Sequence, residues 1–143
     1  MRDLIEALQD KDPKKAHALL KELLVQSAAS AKYYPEFEAF TGLLSDKNSY
    51  VRTRGFLLCC AQARWDTSGM LARALPVMFP LLHDEKPTVV RQCLGALREV
   101  ALFRPELCGA IAAEVDTIDL SGYRDSMSPL IRKDMDALLA VCI

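Results

Sequence analysis

The chain has 143 residues, 51% apolar and 26% charged, which suits one soluble domain with a continuous core. Its 18 basic and 19 acidic side chains give a net charge of −1, which argues against duplex binding, because duplex-binding proteins usually carry a basic excess. Aromatic residues make up only 7% and alternating apolar residues are rare, so helices are favoured over strands.

Apolar residues recur at helical spacing along the whole chain, and turn-forming residues divide them into segments. Alanine and leucine dominate, and both favour helix intrinsically. In chain order the segments predict four pairs of helices: 2–9 with a partner that begins near Pro13, 35–45 with 49–64, 68–83 with 87–103, and 105–116 with 128–142. No sheet is expected.

Residues near the segment starts predict how the helices begin and where one is disturbed. Ser49 and Ser128 are candidate N-caps, because a serine hydroxyl accepts a backbone N–H of the first turn. Residues 66–68 offer similar oxygens to the helix over 68–83. Pro76 and Pro80 fall inside that helix, where proline removes a hydrogen bond and clashes with the preceding turn. We therefore expect a kink there or a later start.

A short motif recurs along the chain: a β-branched residue followed by arginine, six or seven residues after an aspartate. Its copies are Asp46 with Val51-Arg52, Asp84 with Val90-Arg91, and Asp125 with Ile131-Arg132. The arginines are 39 and 41 residues apart, and a fainter copy at Asp10 and His17 precedes them. A repeat of this length is typical of stacked helix pairs.

This motif and its spacing resemble the HEAT repeat family, in which a turn aspartate and a second-helix arginine or lysine stack from repeat to repeat. The resemblance implies an all-α, right-handed α-α superhelix, a solenoid of about four repeats in a single domain: 1–31, 32–66, 67–104 and 105–143. Ala16-His17 replaces the motif in the first repeat, which suits an end repeat, since terminal repeats are atypical.

The three motif arginines permit two interpretations. They could form a ladder that binds an external anion, or they could pair with the turn aspartates and tie successive repeats together. Helix-pair stacking already explains the spacing, and a guanidinium bonds a carboxylate through two N–H groups. We therefore predict a structural ladder of Asp46, Arg52, Asp84, Arg91, Asp125 and Arg132.

The residues that could carry chemistry show no catalytic or metal-binding pattern. The five cysteines lack C-x-x-C spacing, and no serine elbow or phosphate-binding glycine loop is present. Nothing places His17 or His83 beside a cysteine. We predict no enzymatic activity, no cofactor and no metal. Gly42, Gly55 and Gly95 lie within helical segments, where they predict close helix approach.

Cysteine usage and hydropathy also predict a location. The odd cysteine count and the absence of a signal-peptide pattern indicate free thiols in a reducing compartment, so we expect a cytoplasmic protein. Charged residues interrupt every apolar run, so no membrane span is expected. Residues 32–104 hold ten basic against seven acidic groups, and 105–143 hold three against seven.

Charged and aromatic residues gather near the ends of the predicted second helices: Arg64, Trp65, Arg98, Glu99 and Arg104. Such residues are enriched at binding hot spots, although arginine also suits helix C-termini and a lone tryptophan suits a core between repeats. We predict a non-catalytic scaffold that binds another protein, with no nucleic acid and no membrane, on the ridge of second helices. Two alternatives stay open. One is a nucleic-acid-binding protein, similar to the HEAT-like DNA glycosylases, that would use Arg54 with the arginines and tryptophan just named. The other is a helper for cofactor or metal-cluster assembly.

Overall fold

A computed structural model describes residues 2–143, and within them it contains helices and turns but no strand, which confirms the all-helical prediction. The eight α-helices are α1 (Arg2–Leu8), α2 (Pro13–Ala29), α3 (Phe37–Gly42), α4 (Ser49–Ala61), α5 (Met70–Met78), α6 (Pro87–Phe103), α7 (Cys108–Val115) and α8 (Ser128–Val141). Short 3-10 helices lie at Tyr34–Glu36, Leu43–Ser45, Ala63–Trp65, Phe79–His83, Pro105–Leu107 and Leu120–Gly122.

The longer helices pack side by side in chain order. Helix α4 packs against both α2 and α6, and α6 packs against α8. The shorter helices lie against them, with α1 on α2 and α3 on α4. The core between the two sets is apolar and includes the fully buried side chains of Phe37, Phe40, Phe56, Leu94 and Leu97.

Side-chain hydrogen bonds link each helix pair to the next one along the chain. Those that join distant residues span sequence separations from 31, for His83 and Glu114, to 46, for Arg54 and Leu8. None of these bonds skips a helix pair. The distant side-chain hydrogen bonds among the described residues therefore join neighbouring pairs.

The N-cap predictions for Ser49 and Ser128 are wrong, because each serine is the first residue of its helix rather than the residue before it. Asn48 caps α4 instead, with its side-chain oxygen 2.8 Å from the backbone nitrogen of Tyr50. Ser128 donates its hydroxyl to the carbonyl of Leu120 at 2.9 Å. Both serine hydroxyls therefore hold neighbouring segments rather than the first helical turn.

Helix α5 covers Met70–Met78, so it is shorter at both ends than the predicted helix over 68–83. A side-chain cap explains its start, and proline explains its end. The carboxylate of Asp66 accepts the backbone N–H groups of Met70 and Leu71 at 2.8 and 3.1 Å, which fixes the start after residue 68. Pro76 lies inside the helix, and at Phe79 the backbone tightens into the 3-10 helix that contains Pro80. Proline has no N–H for the i−4 carbonyl, so the regular α-helix ends there.

The three glycines predicted to allow close packing behave differently. A Cβ on Gly55 would lie 2.7 Å from the Cβ of Leu43 and 2.8 Å from the carbonyl oxygen of Phe40, so α4 approaches the α3 segment as closely as predicted. A Cβ on Gly42 or Gly95 would meet nothing within 4 Å, so the prediction is wrong for these two. Both are exposed to solvent.

Candidate functional site

Arg64 and Trp65, the centre of the predicted binding patch, close the C-terminal end of α2. Arg64 donates from Nη1 to the carbonyl of Ala28 at 2.8 Å, and Trp65 donates from Nε1 to the carbonyl of Ser27 at 2.6 Å. The last carbonyls of a helix have no partner within it, so these bonds satisfy groups that would otherwise need water. Both side chains therefore join one helix pair to the next.

Arg104 repeats this arrangement one pair further along. Its Nε donates to the carbonyl of Ala63 at 2.7 Å, just beyond the end of α4. Arg64 also pairs with Glu99 at 3.2 Å and lies 4.5 Å from the centroid of the Phe103 ring. The structure thus brings Arg64, Glu99 and Arg104 together with Trp65 as contacts between helix pairs.

Arg98 alone of the predicted binding residues stands apart from these contacts. It is exposed on α6, and its side chain has no polar partner within residues 2–143. The other four predicted residues use their polar groups largely inside the molecule. Arg64 and Glu99 each keep 31% of the side chain exposed, so the patch as a binding site stays a prediction.

The predicted ladder is present in part. Arg52 bonds Asp84 of the next pair, Nη2 to Oδ2, at 2.9 Å, and it also donates to the main-chain carbonyl of Asp46 at 2.9 Å. Arg91 bonds Asp134 on α8 at 2.7 Å, not the turn carboxylate of Asp125. Since α6 and α8 pack side by side, an acid on the facing helix reaches Arg91.

The last two members of the ladder are not paired. Asp125 and Arg132 are both exposed, and neither side chain has a polar partner within the described part of the chain. The structure therefore does not pair these two side chains, as the ladder prediction required. The charge pairing stops at Arg91 and Asp134.

The thiols and imidazoles are not arranged for catalysis. Burial raises the pKa of Cys59, Cys60 and Cys93 well above the ordinary range, which disfavours the reactive thiolate. Burial and a hydrogen bond with Cys108 raise the pKa of Cys142 to about 11. His83 pairs with Glu114. Within residues 2–143, no group of three or more histidine, cysteine and acidic side chains could hold a metal ion.

A groove that the sequence does not predict lies across the second helices. One cavity of about 400 Å³ is lined by Lys14 and His17 of α2, Tyr50 and Arg54 of α4, and Gln92 of α6. No carboxylate lines this cavity. The sequence indicates that these residues lie on helices, but their convergence depends on the spacing between α2, α4 and α6.

A second cavity, of about 330 Å³, lies on the same three helices and shares the lining residue Gln92 with the first. Its walls are Leu24 of α2 and Ala96 of α6, and Leu57 of α4 lies at its floor. Gly95 also lines it. We call the two cavities together the α2–α4–α6 groove, with a cationic end at Lys14 and Arg54, beside His17, and an apolar end at Leu24, Leu57 and Ala96.

Arg54 is the unusual residue of the cationic end. Its side chain is only 7% exposed, and Nη1 donates to the carbonyl of Leu8 at 2.7 Å, which closes the end of α1. No carboxylate of the described residues forms an ion pair with it. Burial lowers its pKa, and the charge of Asp10 acts in the opposite direction. The molecule thus holds a buried cation at the edge of a cavity.

Comparison of the chain with protein-family models, curated proteins and solved structures finds no match in any of the three. Among residues 2–143, no helix combines the length and apolar character that crossing a membrane requires. The groove and its residues are therefore the basis on which a function can be assigned.

Proposed function

We propose that the chain is a HEAT-like solenoid scaffold, without catalytic activity, that binds a segment of a partner protein in the α2–α4–α6 groove. The solenoid is supported by the distant hydrogen bonds, whose separations of 31 to 46 residues join each helix pair only to its neighbour. Stacked repeats show this pattern, because each repeat contacts only the adjacent ones. Five free cysteines suit a cytoplasmic location, where thiols stay reduced.

The observation that carries the proposal is that a cationic cavity and an apolar cavity lie on the same three helices and share Gln92. A segment with acidic residues at one end and apolar residues at the other would complement both. The apolar end offers partly buried leucine and alanine surface, which gains from losing water. The cationic end orients the segment, since charge complementarity fixes direction and register.

This groove replaces the predicted patch as the centre of contact. Arg64, Trp65 and Arg104 bond main-chain carbonyls of the preceding pair, so a partner would have to compete for them. Glu99 lines the apolar end of the groove and Arg98 is exposed on the same helix, so these two remain candidates for its rim.

The alternatives gain less support from the geometry. Nucleic-acid binding relies on several cations free to contact successive phosphates, but Arg64 and Arg104 donate to main-chain carbonyls of the preceding pair. A helper for metal-cluster assembly would need accessible ligands, whereas Cys59 and Cys60 are buried. Neither alternative has an observation in its favour comparable to the groove.

A tryptophan at Gly95 tests the proposal. A side chain there would point into open space within the apolar end, so Gly95→Trp obstructs the groove without a clash at its Cβ. Gly42→Trp is the matched control, because Gly42 is also exposed with open space around it but does not line the groove. Both variants, with the wild type, serve as baits for affinity capture from the native source after thermal melts show that they are folded.

We expect a partner that the wild type and Gly42→Trp retain and that Gly95→Trp loses. A fragment of that partner with adjacent apolar and acidic residues should then bind the purified chain directly. Equal retention by all three baits would remove the groove as the binding site. A partner lost equally by both tryptophan variants would also contradict it.

A further inference from the structure

We propose that the cationic end of the groove is a binding site for a phosphate monoester group carried on a side chain of the partner segment. The carrier rests on the proposed function. The phosphate site itself rests only on the residues around Arg54.

The balance of charge at the cationic end favours a dianion over a single carboxylate. Lys14, His17 and Arg54 line the cavity, and no acidic residue does. Asp10 is near enough to influence Arg54 but forms no ion pair with it. A phosphate monoester carries a charge of about −1.5 to −2 at neutral pH and three acceptor oxygens. It therefore neutralises more of this site than one carboxylate can.

Arg54 is prepared to bind such a group. One nitrogen is anchored to the carbonyl of Leu8, and the remaining N–H groups have no acceptor among the described residues. A buried cation without a counter-ion is unfavourable, so an anion that reaches it relieves that cost. Because the guanidinium is already held in place, little side-chain freedom is lost when its planar N–H groups bond a phosphate.

Neutral donors complete the site. Tyr50, whose side chain is 65% exposed, and Gln92 bring a phenol and an amide to the same cavity. Pro13, the first residue of the 17-residue helix α2, also lines it. The carboxylate of Asp12 already caps this helix, with Oδ1 3.0 Å from the backbone nitrogen of Lys14, so the side chains of the cavity rather than the helix end would hold the phosphate. At about 400 Å³ the cavity accommodates a phosphate together with the side chain that bears it.

The test is a titration of the full ¹⁵N-labelled chain, followed by amide chemical shifts, with three probes. The probes are inorganic phosphate, N-acetyl-O-phosphoserine amide and acetate. The test variant is Lys14→Gln/His17→Gln, which alters two exposed residues of the cavity. The control is Lys15→Gln/Lys21→Gln, which removes two exposed charges of the same helix that do not line it.

We expect both phosphate probes to shift amides of the α2 first turn and of residues 50–54, with dissociation constants of about 1 mM or below. The test variant should bind them about fivefold to tenfold more weakly. The control variant should stay close to the wild type. Arg54→Lys, which keeps the charge but not the planar fork, should also weaken binding.

Several outcomes would overturn the inference. Acetate binding as tightly as phosphate would make the site a general carboxylate site. Phosphate shifts that persist in Lys14→Gln/His17→Gln would place the anion elsewhere. Inorganic phosphate binding more tightly than the phosphoserine amide would remove the side-chain carrier. Phosphate binding that survives while no partner is lost by Gly95→Trp would overturn the proposed function alone.

Discussion

Substituting alanine for Gly55 tests the close approach of α4 to the α3 segment. The added methyl would lie 2.7 Å from the Cβ of Leu43 and 2.8 Å from the carbonyl oxygen of Phe40. One of these atoms is backbone, so no side-chain rotation relieves the overlap. Helix α4 must move away from the α3 segment, and this separation disturbs the core around Phe56, which is fully buried.

The magnitude follows from two opposing terms. Overpacking a core by one methyl typically costs about 1–3 kcal/mol. Alanine in place of a helical glycine returns about 1 kcal/mol through its better helix propensity. Because both contacts at Gly55 are far inside van der Waals distance, we take the upper part of the first range. The net destabilisation is then about 1–2 kcal/mol, or a melting temperature lower by about 3–6 °C.

Gly95→Ala is the matched control, since Gly95 lies in the interior of α6 with nothing within 4 Å of an added Cβ. Only the propensity term acts there, so we expect a stabilisation of about 0.5–1 kcal/mol. Thermal melts and urea unfolding of the two variants and the wild type measure both effects. If Gly55→Ala is as stable as Gly95→Ala, then α4 and the α3 segment do not pack as described.

Three further predictions concern the charge pairs and buried polar groups. Asp84→Ala should destabilise by about 2 kcal/mol in thermal melts, because it leaves the half-buried guanidinium of the preceding pair unpaired, while Asp125→Ala should match the wild type. Ser27 and Gln62 share a buried hydrogen bond, so Ser27→Ala and Gln62→Leu should each lower the free energy of unfolding by about 1–2 kcal/mol. The double variant should lose less than the sum, because each single variant leaves the other side chain without this bond. Because Cys142 has a pKa of about 11, its alkylation by iodoacetamide, followed by mass spectrometry, should rise about tenfold per pH unit between about pH 8 and 10. The folded chain holds this proton more tightly than the unfolded chain, so the associated stability is present below the ordinary thiol pKa of about 9 and is lost as pH rises from about 9 to about 11. An alkylation rate that levels off near pH 9 would contradict the raised pKa.

The sequence predicts the helices well where the deciding signals are local. Helix α6 has the predicted bounds of 87–103, because a proline starts it and apolar residues recur throughout. The segment 35–45 is instead divided into a short α-helix between two 3-10 helices. Close packing of this segment on Gly55 determines that backbone, and such a contact cannot be derived from local propensity.

The candidate site is predicted less well, because it depends on distances between helix pairs. Arg64 and Trp65 have the composition of a binding hot spot, and only the position of the α2 carbonyls shows that they are used inside the molecule. For Arg91, the sequence indicates a carboxylate partner. It does not indicate that Arg91 pairs with Asp134 on the facing helix α8 rather than with Asp125 in the turn. The groove likewise requires three helices to be positioned relative to one another.

Carbonyls at the ends of α2 and of the segment after α4 are bonded by residues of the following pair, so these contacts run in one direction along the chain. The α2 carbonyls are bonded by residues 64 and 65, and the carbonyl of Ala63, just after α4, by Arg104, so these two helix ends are completed by residues synthesised about forty positions later. On the ribosome, a helix pair therefore emerges with an open C-terminal end that closes only when its successor folds. Loss of structure around Arg104 likewise frees the carbonyl of Ala63, and loss of structure at residues 64 and 65 reopens the end of α2.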